Sequence, residues 1–386
     1  MKKVAIVGIG MTKLGNLWDK DFSQLGLEAG SKAVFDAGLT SKDINSLYVG
    51  TMSSGLFVEQ EHTGSLFSGM LGLNNVPATR VEGACASGGI AIRQAYLDIL
   101  SGKSNVSMAL GVEKMTDVSL SQATKALATA SSQNFEAWFG ATFPALYAMI
   151  ARLHMHKYGT TEEQMALCAV KNHKNAIHNE YAQFRKEIKV EDVMGSTMVS
   201  DPIKLLDCSP ITDGAASVIL ADEESAKKLT DTPIWINASS QGSDVISLHE
   251  RQDMTTLSAT VKAAKDAFLQ SKLKPKDIKC VEVHDCFTIA ELCALEDLGF
   301  CKKGDAGRFI EDGNTHLNAE ISVNASGGLK AKGHPIGASG IAQAVEAVTQ
   351  LRQEAKHRQV DDIKHVMTHN VGGTGGTAVV HIFGRD

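Results

Sequence analysis

The chain repeats itself, and a duplication constrains the fold more than any local signal, because both copies must solve one packing problem in one order of elements. The segment KAVFDAGLTSKDINSLYVG begins at Lys32, and KDAFLQSKLKPKDIKCVEVH begins at Lys265. Ala33, Leu39, Lys42-Asp43-Ile44 and Val49 match Ala267, Leu273, Lys276-Asp277-Ile278 and Val283, each 234 residues later. Each copy reads as an amphipathic helix, a capped turn and an apolar strand. A second pair follows: Ala86-Ser87-Gly88 opens the helical run AIRQAYLDIL, and Ala338-Ser339-Gly340 opens IAQAVEAVTQL. A third closes each half, with Gly214-Ala215-Ala216 leading into SVIL and Gly376-Thr377-Ala378 into VVHIF.

The second and third pairs are offset by 252 and 162 residues, so the halves keep one order of elements and carry different insertions. Most of the extra sequence lies between Gly111 and Pro202. Two repeats of alternating strands and helices predict a layered α/β fold with mostly parallel strands. The expected organisation is a first half over residues 1–112 plus 203–225, an inserted module over 113–202, and a second half over 226–386.

Reactive side chains gather at the repeated helix starts. In Gly83-Ala84-Cys85-Ala86-Ser87-Gly88, Cys85 stands at the start of the first repeat's helix, where unpaired N–H groups and the helix dipole favour a thiolate. Read locally, it is equally a small buried residue. His334, between Gly333 and Pro335, takes nearly the same place in the second repeat. A pseudo-twofold arrangement brings such starts face to face, and a Cys with a His is the pattern of an activated nucleophile. His284-Asp285-Cys286-Phe287 follows the strand after Lys276, at the end where α/β sheets place ligands. Cys286 reads as a second thiol or as core; Cys280 and Cys293 read as core. His369-Asn370-Val371-Gly372-Gly373-Thr374-Gly375-Gly376 reads as a loop that bares backbone N–H groups, for an oxyanion or a phosphate. It is neither a P-loop nor a dinucleotide fingerprint, since no Lys-Ser/Thr and no helix follows.

On these residues the chain resembles the thiolase family from end to end. GACASGG resembles the nucleophile segment, ALGVEKMTD the segment after the next strand, and DPIKLLDCSPITDGAASVIL the return from an inserted loop domain. GGLKAKGHPIGASG is similar to the family's most specific motif, and HDCF with HNVGGTGG resembles the sterol-carrier-protein-type and archaeal acetoacetyl-CoA members. The resemblance implies two duplicated βαβαβαββ halves in an α/β/α/β/α stack, and an acyltransferase that condenses two acetyl-CoA through an acetyl-Cys85 intermediate. It implies His334 as the activating base, Cys286 as acid and base at the α-carbon, and His284 holding the thioester oxygen. It implies the N–H groups of Cys85 and Gly372 as the site for the acyl-enzyme oxygen. Most members carry their second thiol where this chain has Asn370, which moves that role to Cys286. Coenzyme A is then a substrate, with no tightly bound cofactor and no metal. Lys171, His173, Lys174 and Arg185 of the insert are candidates for its phosphates, or form a solvated helix face.

The same resemblance implies a homodimer or homotetramer. It also implies association with HMG-CoA synthase through a small zinc-containing bridging protein, in the mevalonate route. A degradative 3-ketoacyl-CoA thiolase of broader chain length is the alternative within the family, and a non-catalytic lipid-transfer or scaffold protein is the alternative outside it. Ketoacyl-ACP synthases and HMG-CoA synthase share the duplication but use two histidines or a Glu base. A net charge of −6 argues against nucleic acid as a partner. Seven cysteines without a CxxC pair predict free thiols in a reducing, cytoplasmic setting. The N-terminal apolar run is about six residues and reads as a first strand rather than a signal peptide. No stretch reaches the ~18 apolar residues of a membrane span. The C-terminus, Phe383-Gly384-Arg385-Asp386, carries no peroxisomal signal.

Overall fold

The computed structural model describes residues 3–385; Met1, Lys2 and Asp386, at the outer ends of the two expected halves, lie outside the described residues. Strand β1 (Val4–Met11) shows how the strands at the centre of the molecule sit. Its side chains alternate, and both faces are buried: Val4 and Ile6 enter one apolar cluster, Ala5 and Val7 another. A strand buried on both faces belongs inside a stack of layers.

The first half continues through α1 (Phe22–Asp36), β2 (Ser46–Gly50), α2 (Ser54–Phe57), α3 (Thr63–Met70), β3 (Ala78–Val81), α4 (Ser87–Ser101) and β4 (Val106–Glu113). An excursion follows, through helices α5 (Leu120–Ala128), α6 (Phe143–Tyr158), α7 (Glu162–Ala176) and α8 (Val190–Met194), then a hairpin of β5 (Met198–Ser200) and β6 (Ile203–Lys204). The chain returns as β7 (Gly214–Asp222) and α9 (Glu223–Leu229). The second half runs β8 (Ile234–Ser243), α10 (Ser258–Ser271), β9 (Cys280–Glu282), α11 (Thr288–Asp297), α12 (Ala306–Glu311), β10 (Ser322–Val323), α13 (Ile336–Leu351), β11 (His365–Gly372) and β12 (Thr377–Gly384). Among the described residues, no helix is long and apolar enough to cross a membrane.

Apart from the β5–β6 hairpin, the described strands form one ladder in the order β10-β9-β11-β12-β8-β1-β7-β4-β2-β3. Read outward from its centre, each half has the same order: β1-β7-β4-β2-β3 and β8-β12-β11-β9-β10. The halves meet where Ala5 and Ile6 pair with Trp235 and Ile234. Helix α1 covers β1, β7 and β4 on one outer side, and α10 covers β8 and β12 on the other. Helices α4 and α13 lie between the halves, with Ile92 and Ile341 in one apolar cluster beside Ile6 and Phe383. The layers are therefore α/β/α/β/α.

The expectation of mostly parallel strands is corrected. β2 is parallel to β3 and β4, and β9 to β10 and β11. The β4–β7, β7–β1, β1–β8, β8–β12 and β12–β11 pairs are antiparallel. Helical crossovers make parallel neighbours, but the last strand of each half returns beside its predecessor without a crossover on the sheet.

The middle layer positions the site. α13 is buried nearly all round, as an IGASGIAQAVEAVTQL helix must be. It crosses α4 in direct backbone contact: a Cβ on Gly340 would lie 2.4 Å from Gly89 N and 2.1 Å from Asn370 Oδ1. Only glycine permits that approach. The crossing lies one turn inside each helix, so the two helix starts face one another.

Candidate active site

At the first helix start, the chain leaves β3, turns through Gly83 and makes a single 3-10 turn, Ala84–Ala86, that holds Cys85. The Ser87 hydroxyl braces it, accepting from Gly83 N at 3.0 Å and donating to Ala84 O at 2.6 Å. At the second start, a π-helical turn, Gly328–Lys332, delivers Gly333 at φ +116° and then His334. His334 N donates to Thr212 Oγ1 at 3.0 Å. Its Nδ1 lies 2.7 Å from Ser339 Oγ, which donates to Pro335 O at 2.9 Å.

The structure brings Cys85, His284 and His334 together: Cys85 Sγ and one ring nitrogen of each histidine all lie within 4.8 Å of one another. The two rings meet edge to face, 5.0 Å apart at 81°. His284 Nδ1 stands 3.3 Å from Asn370 Nδ2, and its Nε2 is buried with no hydrogen-bond partner among the described residues. Burial holds both imidazoles neutral. It takes His334 down to about 3, and takes His284 well below the usual range with help from His334 and His369.

Cys85 is not a resting thiolate, against the expectation from its place at a helix start. The residue is only partly buried, yet the burial of its thiol pushes it up to about 12. The N–H groups of Gly373 and of Cys85 itself pull the other way, and the Glu113 and Glu82 charges add to the rise. Its proton must therefore be taken by a base when it reacts.

Cys286 follows β9 and is buried. Burial holds its thiol well above the usual range, and the Tyr147 hydroxyl beside it opposes that rise. Tyr147 is itself buried, donates to Gly373 O at 3.0 Å, and stacks on Phe287 with centroids 4.6 Å apart. One phenol thus touches the second thiol and the turn whose N–H faces the first. Sequence reasoning missed it, as it missed Ser339; a Tyr on an inserted helix gives no local signal of such a place.

The HNVGG stretch is corrected from loop to strand: residues 369–372 belong to β11, and only 373–376 turn into β12. The N–H directed at Cys85 comes from Gly373, one residue beyond Gly372.

Asp285 anchors the loop between the two reactive residues of HDCF. It accepts from Leu329 N at 2.7 Å and Lys330 N at 3.1 Å, which clamps the π turn leading to His334, and from Asn172 Nδ2 at 2.7 Å. Lys171 pairs with buried Glu291 at 2.9 Å and is itself buried, and buried His173 stacks on Phe184. Lys171 thereby holds α7 to the core, while His173 packs within the inserted module, and neither presents charge to solvent. Lys174 and Arg185 are exposed. Lys174 lines a cavity of about 300 Å3 that shares no lining residue with the cysteine site.

A thiol needing a base, a neutral imidazole, a second thiol and N–H donors on a duplicated α/β/α/β/α stack form a set able to carry out acyl transfer through a cysteine. The thiolase N-terminal domain model matches residues 4–224, and the thiolase C-terminal domain-like model matches residues 240–385. The chain belongs to the thiolase family. It is 55% identical over 385 residues to an acetyl-CoA acetyltransferase of Methanothermobacter thermautotrophicus, covering 100% of both chains. It is 34% identical to sterol carrier protein 2 of Bos taurus, covering 99% of this chain and 72% of that one. The solved Ltp2-ChsH2(DUF35) aldolase superposes with a TM-score of 0.88 at 28% identity, covering 100% of this chain and 98% of that chain.

Proposed function

We propose that the protein is an acetoacetyl-CoA thiolase that condenses two acetyl-CoA into acetoacetyl-CoA and CoA, and catalyses the reverse thiolysis. The observation that carries this reading is the gathering of Cys85, His284 and His334 within 4.8 Å. The course is ping-pong. With Ser339 donating to Pro335 O, His334 Nδ1 keeps its hydrogen for Ser339, and Nε2 is the free base that takes the Cys85 proton. The thiolate attacks the first acetyl thioester; the N–H groups of Cys85 and Gly373 receive the oxyanion; CoA leaves with the proton from His334. Cys286, acting as its thiolate, then removes the α-proton of the second acetyl-CoA while His284 holds its thioester oxygen. The carbanion attacks acetyl-Cys85 and expels the Cys85 thiolate, which takes that proton back from Cys286, so both cysteines return to their starting state.

The name of the 55% identical relative supports acetyl-CoA as substrate. Tyr147, buried and stacked on Phe287 beside both cysteines, places a rigid aromatic pair at the site, which we read as favouring a short chain over the degradative alternative. Lys174 and Arg185 are the basic residues we assign to the CoA phosphates. We place the enzyme in the cytoplasm as a homo-oligomer, at the first step of the mevalonate route. We also assign it an association with HMG-CoA synthase through a small zinc-containing bridging protein.

Acetyl-CoA should leave an acetyl group on the Cys85 peptide by mass spectrometry. Cys286→Ala should retain that adduct and lose condensation. Condensation by a chain whose Cys85 is never acetylated would end the proposal.

A further inference from the structure

Asn370 stands where most relatives were expected to carry a thiol, and its amide is tied in a way that matters for its neighbour. Its Oδ1 accepts from Gly89 N at 3.0 Å, and its Nδ2 donates to Cys85 O at 2.9 Å. Both partners are main-chain groups of fixed polarity, so the amide has one orientation and cannot flip. The second hydrogen of the same Nδ2 faces His284 Nδ1 at 3.3 Å. A donor in that place requires a lone pair on Nδ1, and a neutral imidazole carries one hydrogen.

We propose that Asn370 is a positioning residue that fixes the hydrogen of His284 on Nε2, and thereby closes the Cys85–His284–His334 cluster to metal ions. This rests on the thiolase reading for its first consequence. Nε2 is buried and has no hydrogen-bond partner among the described residues, a donor held ready for an acceptor such as a thioester oxygen. The second consequence does not depend on that reading. Cys with two histidines is a zinc donor set, and the three ligand atoms here lie close enough to converge on one ion. Zinc needs a lone pair from each imidazole. His334 has one on Nε2, but the lone pair of His284 points at the Asn370 amide and its other nitrogen carries hydrogen. The cluster is left with two ligands and an N–H, which binds zinc poorly.

The test uses 15N-histidine NMR on the whole protein, with His284 assigned by its loss in His284→Gln. The expected pattern is a bare Nδ1 and a protonated Nε2; a protonated Nδ1 overturns the inference. Asn370→Asp places an acceptor before Nδ1 and should move the hydrogen there. Condensation should then fall about 100- to 1,000-fold, as for loss of one oxyanion donor. Zn2+ at micromolar concentration should protect Cys85 of this variant, and not of the wild type, from iodoacetamide. Equal Zn2+ protection of the two overturns the inference. The new carboxylate also faces the Cys85 carbonyl, so if the variant does not fold, the wild-type NMR decides. A wild type without thiolase activity but with Nε2 protonated would sink the proposed function and leave the assignment standing.

Discussion

The starts of α4 and α13 hold equivalent places in the two halves, yet they have become opposite kinds of site. At α4 a three-residue turn, braced by one serine, leaves Cys85 partly open. At α13 a five-residue turn is enclosed throughout, and His334 is only 6% exposed. Two of its supports come from elsewhere in the chain, Thr212 before β7 and Asp285 behind the turn, and the third is Ser339 within α13 itself. The duplication supplied two facing backbones; their differing burial made one a place for substrate to reach and the other a rigid holder for a base. Burial acts on both groups, raising the thiol and lowering the imidazole, so neither is charged at rest.

Removing the base should have the largest effect on this division. His334→Gln should lower condensation and thiolysis by about 100- to 10,000-fold, the span of general acid–base catalysis. It should also slow iodoacetamide labelling of Cys85 at neutral pH, since a thiol pushed up to about 12 then has no acceptor for its proton. Unchanged labelling would mean the two starts work independently. A smaller effect should come from the helix crossing. A methyl on Gly340 would lie 2.1 Å from Asn370 Oδ1, whereas one on Gly89 would lie 3.0 Å from the same atom. Gly340→Ala should therefore cost about 1–3 kcal/mol, seen as a lowered Tm, and more than Gly89→Ala. Equal costs would show that the crossing is looser than its backbone contact implies.

The smallest effect concerns pH. His334 is held at about 3 when folded and returns to about 6.5 when unfolded, so between those values the unfolded chain binds the extra proton. The stability that goes with keeping it neutral is present above pH 6.5 and is lost as pH falls toward 3. Wild type should lose about 2 kcal/mol more than His334→Gln between pH 7 and pH 5, by denaturant titration at each pH. Parallel losses would place His334 in a more hydrated setting than its burial indicates.

Much of this was legible in the residues. Lys42-Asp43-Ile44 against Lys276-Asp277-Ile278 exposes the duplication because a helix, a tight turn and a strand leave a local record. Cys85 and His334 stand out because both sit beside repeated Ala-Ser-Gly helix starts. What was not legible depends on contacts between distant segments. The antiparallel returns leave no trace in β7 or β12 themselves, since a strand buried on both faces reads alike in either direction. Residues 369–372 read as loop because of the glycines beyond them, although β12 pairs with them along their length. Lys171 and His173 look like surface charge until Glu291 and Phe184 are placed against them. Tyr147 shows its role only once α6 is laid beside Cys286 and Gly373.

The pairing of β1 with β7 and β8 has a consequence in time. Of the described strands, β1 leaves the ribosome before the rest, yet it stands in the middle of the finished ladder, and its partners are made some two hundred residues later. Nothing can close around it until β7 and β8 emerge, and the base on α13 emerges later still. Assembly must therefore wait for contacts between far-separated segments, which makes for slow folding. A nascent chain that already displays Cys85 has neither the burial that raises its thiol nor His334 to draw off its proton, so the two act on it together only once the second half is in place.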